Sequence, residues 1–212
     1  MDKKELISSL EDIISKLKEE EKEIEQQQEV TIPGNFIGYF NKDNQVSSFK
    51  LFNMSAQIGD ELIIGSDKYV VVNKVYQTMK VPRYYLMPKY NLDVVQMHHN
   101  DNWTCFEDTD MYQKTIPAYF QSIKENIDRY DSVKATLASK EDIFDEEKAF
   151  PYFKALFKEG REKYIREFGK DSYFWLRSVV SSTYFAGAGS YGGSSGSYAS
   201  HSYGFRPLIL IG

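Results

Sequence analysis

The hydrophobic period changes along the chain, and each change marks an element. Over residues 2–28 the apolar positions Ile7, Leu10, Ile14, Leu17 and Ile24 step by threes and fours, with Glu21 and Gln28 standing where the next apolar residues belong. This predicts one amphipathic helix with a heptad seam about three repeats long. Asp12 and Lys16 add an ion pair at the favourable i,i+4 spacing. Leu6 and Ile13 widen the stripe, so the pattern also suits a helix lying along a domain; self-association is the preferred reading. Ile at a and Leu at d favour a parallel dimer, and the polar seam positions leave a trimer open. Gln26-Gln27-Gln28 and Ile32-Pro33-Gly34-Asn35 then mark a linker and a domain boundary.

From Phe36 the signal turns to strands. Phe36–Phe40 and Ser48–Phe52 flank Asn41-Lys42-Asp43-Asn44 as one hairpin pattern, and Asp60–Gly65 and Lys68–Asn73 flank Ser66-Asp67 as a second. Arg83–Pro88 is a further strand. Residues 109–129 and 140–168 return to a helical period. Ile116, Tyr119, Phe120, Ile123 and Ile127 share one face of the first, and Phe150, Phe153, Leu156, Phe157 and Tyr164 one face of the second. Pro117 and Pro151 are expected to bend or restart these helices. Val133–Leu137 reads as a short strand between them, and after Gly169 the chain returns to strand, loop and strand. The order predicts an α+β fold with its helices in the middle of the sequence. Residues 1–30 form an oligomerisation or docking helix, 31–54 a linker and hairpin, and 55–212 the main domain.

The last part of the chain is compositionally unlike the rest. Between Ser178 and Gly204, Ser, Tyr, Gly and Ala fill about four-fifths of the positions and no Lys, Arg, Asp or Glu occurs. Such a run usually makes a flexible tail. Here Phe205-Arg206-Pro207-Leu208-Ile209-Leu210-Ile211 follows it, an apolar stretch expected to be a buried terminal strand. Residues 178–204 are therefore expected to be a display loop pinned at both ends, anchored by Trp175, Arg177, Phe205 and Arg206. Arg177 and Arg206 are expected to hold the loop ends through hydrogen bonds to backbone carbonyls or carboxylates. A Tyr/Ser/Gly surface on a rigid frame is also the composition of antibody-type paratopes, where Tyr supplies contact area at low entropic cost. Tyr184, Tyr191, Tyr198, His201 and Tyr203 are the candidate ligand-binding residues.

Composition narrows the function. A chain of 212 residues with 42% hydrophobic and 15% aromatic content can fill a sizeable core. A net charge of −5 without a basic stripe argues against nucleic-acid binding. A single cysteine, Cys105, allows neither an internal disulfide nor a cysteine-based zinc site. The mixed charges of Met1–Ile7 do not resemble a signal peptide, and no run approaches the ~20 apolar residues of a membrane span.

Literal motif matches fail in context. Gly192-Gly193-Ser194-Ser195-Gly196 fits a nucleophile elbow and Gly187–Gly192 a dinucleotide fingerprint, but no helix is expected after either, and no acidic residue follows to hold a ribose. His98, His99, Asp101, Glu107, Asp108 and Asp110 make the one cluster of metal-ligand types, read as a polar surface loop because adjacent histidines diverge in extended chain. Cys105 lies among acidic neighbours that discourage a thiolate and is read as packed and inert. No catalytic residue, metal or cofactor is assigned.

Phe174-Trp175-Leu176-Arg177-Ser178, a variable Ser/Gly-rich insert and Gly204-Phe205-Arg206-Pro207 with an apolar close resemble a family of uncharacterised domains common in gut bacteria and their bacteriophages. Upstream, Gly59-Asp60, Tyr69–Val72, Asn100-Asp101-Asn102-Trp103, Asp110-Met111-Tyr112 and Leu137-Ala138-Ser139 stand in that family's order, so the likeness spans about residues 55–212. The resemblance implies a C-type-lectin-like fold, shared with formylglycine-generating enzymes and with phage tropism proteins whose C-terminal loops are diversified. Residues 178–204 contain only amino acids reachable by mutating adenines in Asn-type codons, in keeping with that likeness. The cysteine pair of the enzyme branch is lacking. The expectation is a bacteriophage virion structural protein of the fibre, tail-tip or head-decoration kind. Made in the host cytoplasm, it would self-associate, contact other virion proteins and bind a host-surface glycan or protein. A subunit whose loop packs on neighbouring virion proteins, or a bacterial cell-surface binding module, is the alternative.

Overall fold

The computed structural model describes residues 36–40, 56–76, 82–103, 105–127, 134–168 and 173–212. The helix expected over residues 2–28, with its seam Ile7, Leu10, Ile14, Leu17 and Ile24, lies outside them. The domain is α+β, built on two sheets.

The first sheet starts with β1 (Phe36–Phe40), β2 (Glu61–Ile64), β3 (Asp67–Tyr76) and β4 (Pro82–Pro88). β2 and β3 form the expected hairpin, with Ile64 opposite Asp67 and Gly65 at φ +63° supplying the left-handed turn residue. Leu62 and Ile64 are buried while Glu61 and Ile63 are half-buried, the alternation of a strand with one core face. β1 departs from expectation: it pairs in parallel with β2, Tyr39 opposite Ile63, and Ser48–Phe52 lies outside the described residues. A parallel neighbour requires a long crossover, which residues 41–60 are long enough to provide.

After β5 (Asp93–Gln96) come a 3₁₀ turn (Phe106–Asp108), a π-helical turn (Met111–Thr115) and α1 (Ile116–Ile127). Pro117 follows directly on the π-helical turn as the second residue of α1, so it lies inside one continuous helical run from Asp110 and does not start a helix. β6 (Lys134–Leu137) is the expected short strand. The single helical stretch expected over 140–168 is three helices, α2 (Lys140–Phe144), α3 (Pro151–Lys158) and α4 (Arg161–Phe168). Ser139 caps α2 through a reciprocal box with Asp142. Pro151 opens α3 at its first position, and Gly160 at φ +108° separates α3 from α4.

The C-terminal region supplies β7 (Phe174–Ser181), β8 (Tyr184–Ala188), β9 (Ser194–Tyr198), β10 (Ser202–Phe205) and β11 (Pro207–Ile211). β11 enters the first sheet between β4 and β6, completing the order β1-β2-β3-β4-β11-β6. The second sheet runs β5-β10-β7-β8-β9. Residues 178–204 are thus not a loop but mostly strands, joined by short turns. A composition of Ser, Gly and Ala hides the alternation of a strand, because small residues carry little hydrophobic contrast. The ladder, with Tyr184 opposite Tyr198 and Ala188 opposite Ser194, satisfies the backbone instead.

Two clusters fill the interior. One packs Leu62, Ile64, Val71, Leu86 and Ile209 of the first sheet against Ile123 and Ile127 of α1. The other gathers Trp103, Phe106, Met111, Trp175, Phe185 and Phe205 beneath the second sheet. Tyr119 of α1 touches both, and its hydroxyl hydrogen-bonds that of Tyr69. Lys89, just past β4, bridges Glu61 of β2 and Glu167 of α4, the latter at 2.7 Å.

Candidate functional site

The second sheet is held by the buried Trp175, Phe205 and Arg206 and the half-buried Arg177. Trp175 donates from Nε1 to the carbonyl of Val95 at 2.8 Å, tying β7 to β5 across the intervening β10. Arg177 donates to the Leu137 carbonyl at 2.6 Å and to Asp142 Oδ2 at 3.1 Å, joining β7 to the start of α2. Arg206 has no exposure. Its Nε donates to Asn91 Oδ1 at 2.7 Å and its Nη2 to the Phe168 carbonyl at 3.0 Å, with the guanidinium over the Phe168 and Phe174 rings at 5.2 and 4.7 Å. Phe205 is buried in the Trp175 cluster.

On this frame the five aromatic candidates fall into two groups. Tyr184 and Tyr198 are cross-strand partners on β8 and β9, so they share a face; their ring centroids are 4.5 Å apart. His201, in the turn after β9, stands 5.5 Å from Tyr198 and hydrogen-bonds Ser197 Oγ at 3.0 Å through Nδ1. A hydrogen bond with Tyr198 raises the Tyr184 phenol above the ordinary tyrosine range. Tyr198 is 40% exposed, and Val180, 54% exposed, lies beside Gly196 on the same strand face. Phe185 points the opposite way, fully buried with its ring 4.0 Å from Trp103.

Tyr203 and Tyr191 belong elsewhere. Tyr203 is half-buried, stacked on Tyr173 at 5.4 Å and leaning on Trp175 at 4.7 Å, so it acts chiefly as packing. Tyr191 lies in the turn between β8 and β9, 6.0 Å from Tyr173 and 43% exposed. That turn closes through Gly192 N–H to the Gly189 carbonyl at 3.1 Å and Gly189 N–H to the Gly193 carbonyl at 2.7 Å. Gly192, at φ +75°, lies so close to Arg161 that a Cβ would sit 2.6 Å from its Cγ. Both glycine motifs fall in this region: Ser194 opens β9 and Gly187–Gly192 runs from β8 into the turn, so a strand and not a helix follows.

Two clefts border the sheet. One of about 590 Å³ lies between the α2–α4 layer and the β8–β9 turn, with Phe144 and Phe157, Lys158 and Arg161, and Gly192 and Ser194 in its wall. Another of about 410 Å³ is lined by Tyr85, Tyr112, Phe150, Thr136, Asp142 and Arg177.

The titratable cluster after β5 separates into parts. His98, His99 and Asp110 converge, with one potential ligand atom from each lying within 4.8 Å of the others. Asp101 instead accepts the Ser200 N–H at 3.1 Å, and Asp108 accepts the Cys105 N–H at 3.2 Å. Hydrogen bonds from Lys114 and His99 hold the Asp110 carboxyl well below the usual carboxylate range. Sequence spacing alone missed this convergence, because the turn at Asn100 and the bond from Met111 N–H to the Met97 carbonyl, 3.0 Å, are what fold the segment back. A hydrogen bond with Glu107 pushes the Cys105 thiol up. Among the described residues, no helix is long and apolar enough to cross a membrane.

No protein-family model matches the chain, and no curated protein or solved structure is significantly similar to it.

Proposed function

We propose that this protein is a bacteriophage virion structural protein, of the fibre, tail-tip or head-decoration kind, whose second sheet presents an uncharged aromatic face to a host-surface ligand. The carrying observation is the cluster of half-buried Tyr184 with exposed Tyr198 and His201, on and beside strands whose opposite face is locked into the core by Phe185. Rigid support lowers the entropy lost on binding, and stacked phenol rings offer apolar faces with hydroxyls at their edges, the chemistry that suits a saccharide ring or a peptide. The resemblance of the Trp175–Ser178 and Gly204–Pro207 segments to a phage and gut-bacterial family supports the virion setting and a C-type-lectin-like frame. An N-terminal coiled coil would gather several copies, turning weak single-site binding into avidity.

A second reading is supported by the exposure of Val180 at 54%. With Tyr184 it flanks Gly196 and adds an apolar surface to the face, suited to packing on a neighbouring virion subunit. Phage carrying Tyr184→Ala and Tyr198→Ala separate the two. Normal particle yield with adsorption reduced about tenfold supports host binding; lost assembly supports packing, and normal yield with normal adsorption rejects both uses of this face.

A further inference from the structure

We propose that His98, His99 and Asp110 form a binding site for a borderline divalent metal ion of the Zn²⁺ class. His98 Nδ1 lies 2.8 Å, and His99 Nδ1 2.6 Å, from the same carboxylate oxygen, Asp110 Oδ2. The chain holds the three side chains there through its own backbone. Met111 N–H bonds the Met97 carbonyl at 3.0 Å, His99 N–H bonds Asp110 Oδ2 at 2.8 Å, and His98 N–H bonds the Ala199 carbonyl at 3.0 Å.

The contact needs either a ring proton or a metal ion between its two acceptor atoms. His98 Nδ1 is 3.2 Å from the Asp110 amide nitrogen, which donates to it. A ring nitrogen accepting that bond presents lone-pair density to a carboxylate oxygen 2.8 Å away, which is repulsive unless a proton or a metal ion lies between them. Two imidazoles and a carboxylate are the ligand set of Zn²⁺ and its neighbours, whereas Ca²⁺ and Mg²⁺ take oxygen ligands. Tetrahedral coordination at ordinary Zn–N and Zn–O lengths separates ligand atoms by about 3.3 Å, so a small outward rotation suffices. His99, with its side chain 63% exposed, is free to make it. Three protein ligands leave a fourth position for water or for an oxygen of a bound molecule. Lys114 sits on the other carboxylate oxygen, Oδ1, and weakens the site without occupying it.

The ion would also brace the aromatic face. Besides the His98–Ala199 bond, Gln96 Nε2 donates to the Ser200 carbonyl at 2.6 Å and Asp101 accepts the Ser200 N–H at 3.1 Å. These three bonds hold the turn between Tyr198 and His201 to the segment carrying the site.

Isothermal titration calorimetry of the full chain at pH 7.5, after chelator treatment, tests the proposal. The expected result is one equivalent of Zn²⁺ bound, with no Ca²⁺ binding at the same concentration. His99→Ala, a change at an exposed side chain, weakens Zn²⁺ binding about tenfold or more, Lys114→Met tightens it, and Cys105→Ser leaves it unchanged. Absence of saturable Zn²⁺ binding assigns the His98–Asp110 contact to a proton and overturns the proposal. Undiminished binding in His99→Ala, or its loss in Cys105→Ser, overturns it as well.

Discussion

Arg206 shows how one side chain fixes the end of the chain. It is a fully buried cation over two rings, Phe168 and Phe174, with an amide oxygen at Nε and a backbone carbonyl at Nη2. Its planar fork meets all of these at once, which a lysine ammonium cannot do. Arg206→Ala strips charged donors from Asn91 and from the Phe168 carbonyl, both within the protein, and is expected to destabilise the fold by about 3 kcal/mol or more. Arg206→Lys should recover less than half of that loss; urea denaturation of the three proteins measures both. At the same scale, the Tyr184–Tyr198 pair is a surface feature whose removal should leave stability within about 1 kcal/mol of the parent, so a binding defect there is not a folding defect.

Lys89 acts between elements. It connects the end of β4 to β2 through Glu61 and to α4 through Glu167, with all three side chains largely buried. Burial alone would lower the ammonium, but the hydrogen bonds it donates to Glu167 and Glu61 outweigh it and raise Lys89 above the ordinary lysine value. A raised folded-state value means the stabilisation is fully present below the unfolded lysine value of about 10.4 and is lost as pH climbs through the folded one. Lys89→Met leaves two carboxylates facing one another and is expected to cost about 3 kcal/mol at pH 7. Denaturation midpoints measured from pH 6 to 11 should show a constant gap up to about pH 10.4, narrowing above it. A gap that narrows below pH 9 would contradict the bridge. The helices show a related dependence on local chemistry: Pro151 and Gly160 divide residues 140–168 because one lacks an N–H and the other adopts φ +108°.

For the whole molecule, two expectations follow from charge and from the seam. The aromatic face lies in a run without a charged residue from Ser178 to Gly204, and the Asp101 carboxylate near Tyr184 is tied to the Ser200 N–H, so ligand binding through it should change by less than about twofold between 50 and 500 mM NaCl. A steep salt dependence in surface plasmon resonance would place binding elsewhere, such as the Lys158–Arg161 side of the larger cleft. Leu10→Asp with Leu17→Asp should convert a dimer or trimer to monomer in light scattering, and a parent already monomeric rejects the seam. The α+β class was legible in the sequence, as were β2, β3, β4, β6 and the terminal strand, because each has clear apolar contrast over its length. Pro151 announced its helix start by backbone chemistry alone, whereas Pro117 lies within a helical run that begins at Asp110. The sequence did not reveal β8 and β9, whose small residues carry no periodic signal and whose pairing depends on neighbours brought together by folding. Nor did it reveal the parallel pairing of β1 with β2, since parallel partners lie far apart in the chain. Candidate residues followed the same division. Local sequence singled out tyrosines and histidines by type, but only the tertiary structure separated the paired Tyr184 and Tyr198 from the packed Tyr203, and brought Asp110 to His98 and His99. Residue type and period act within a few neighbours along the chain. Strand register and side-chain convergence come from contacts between distant segments, which no local pattern encodes.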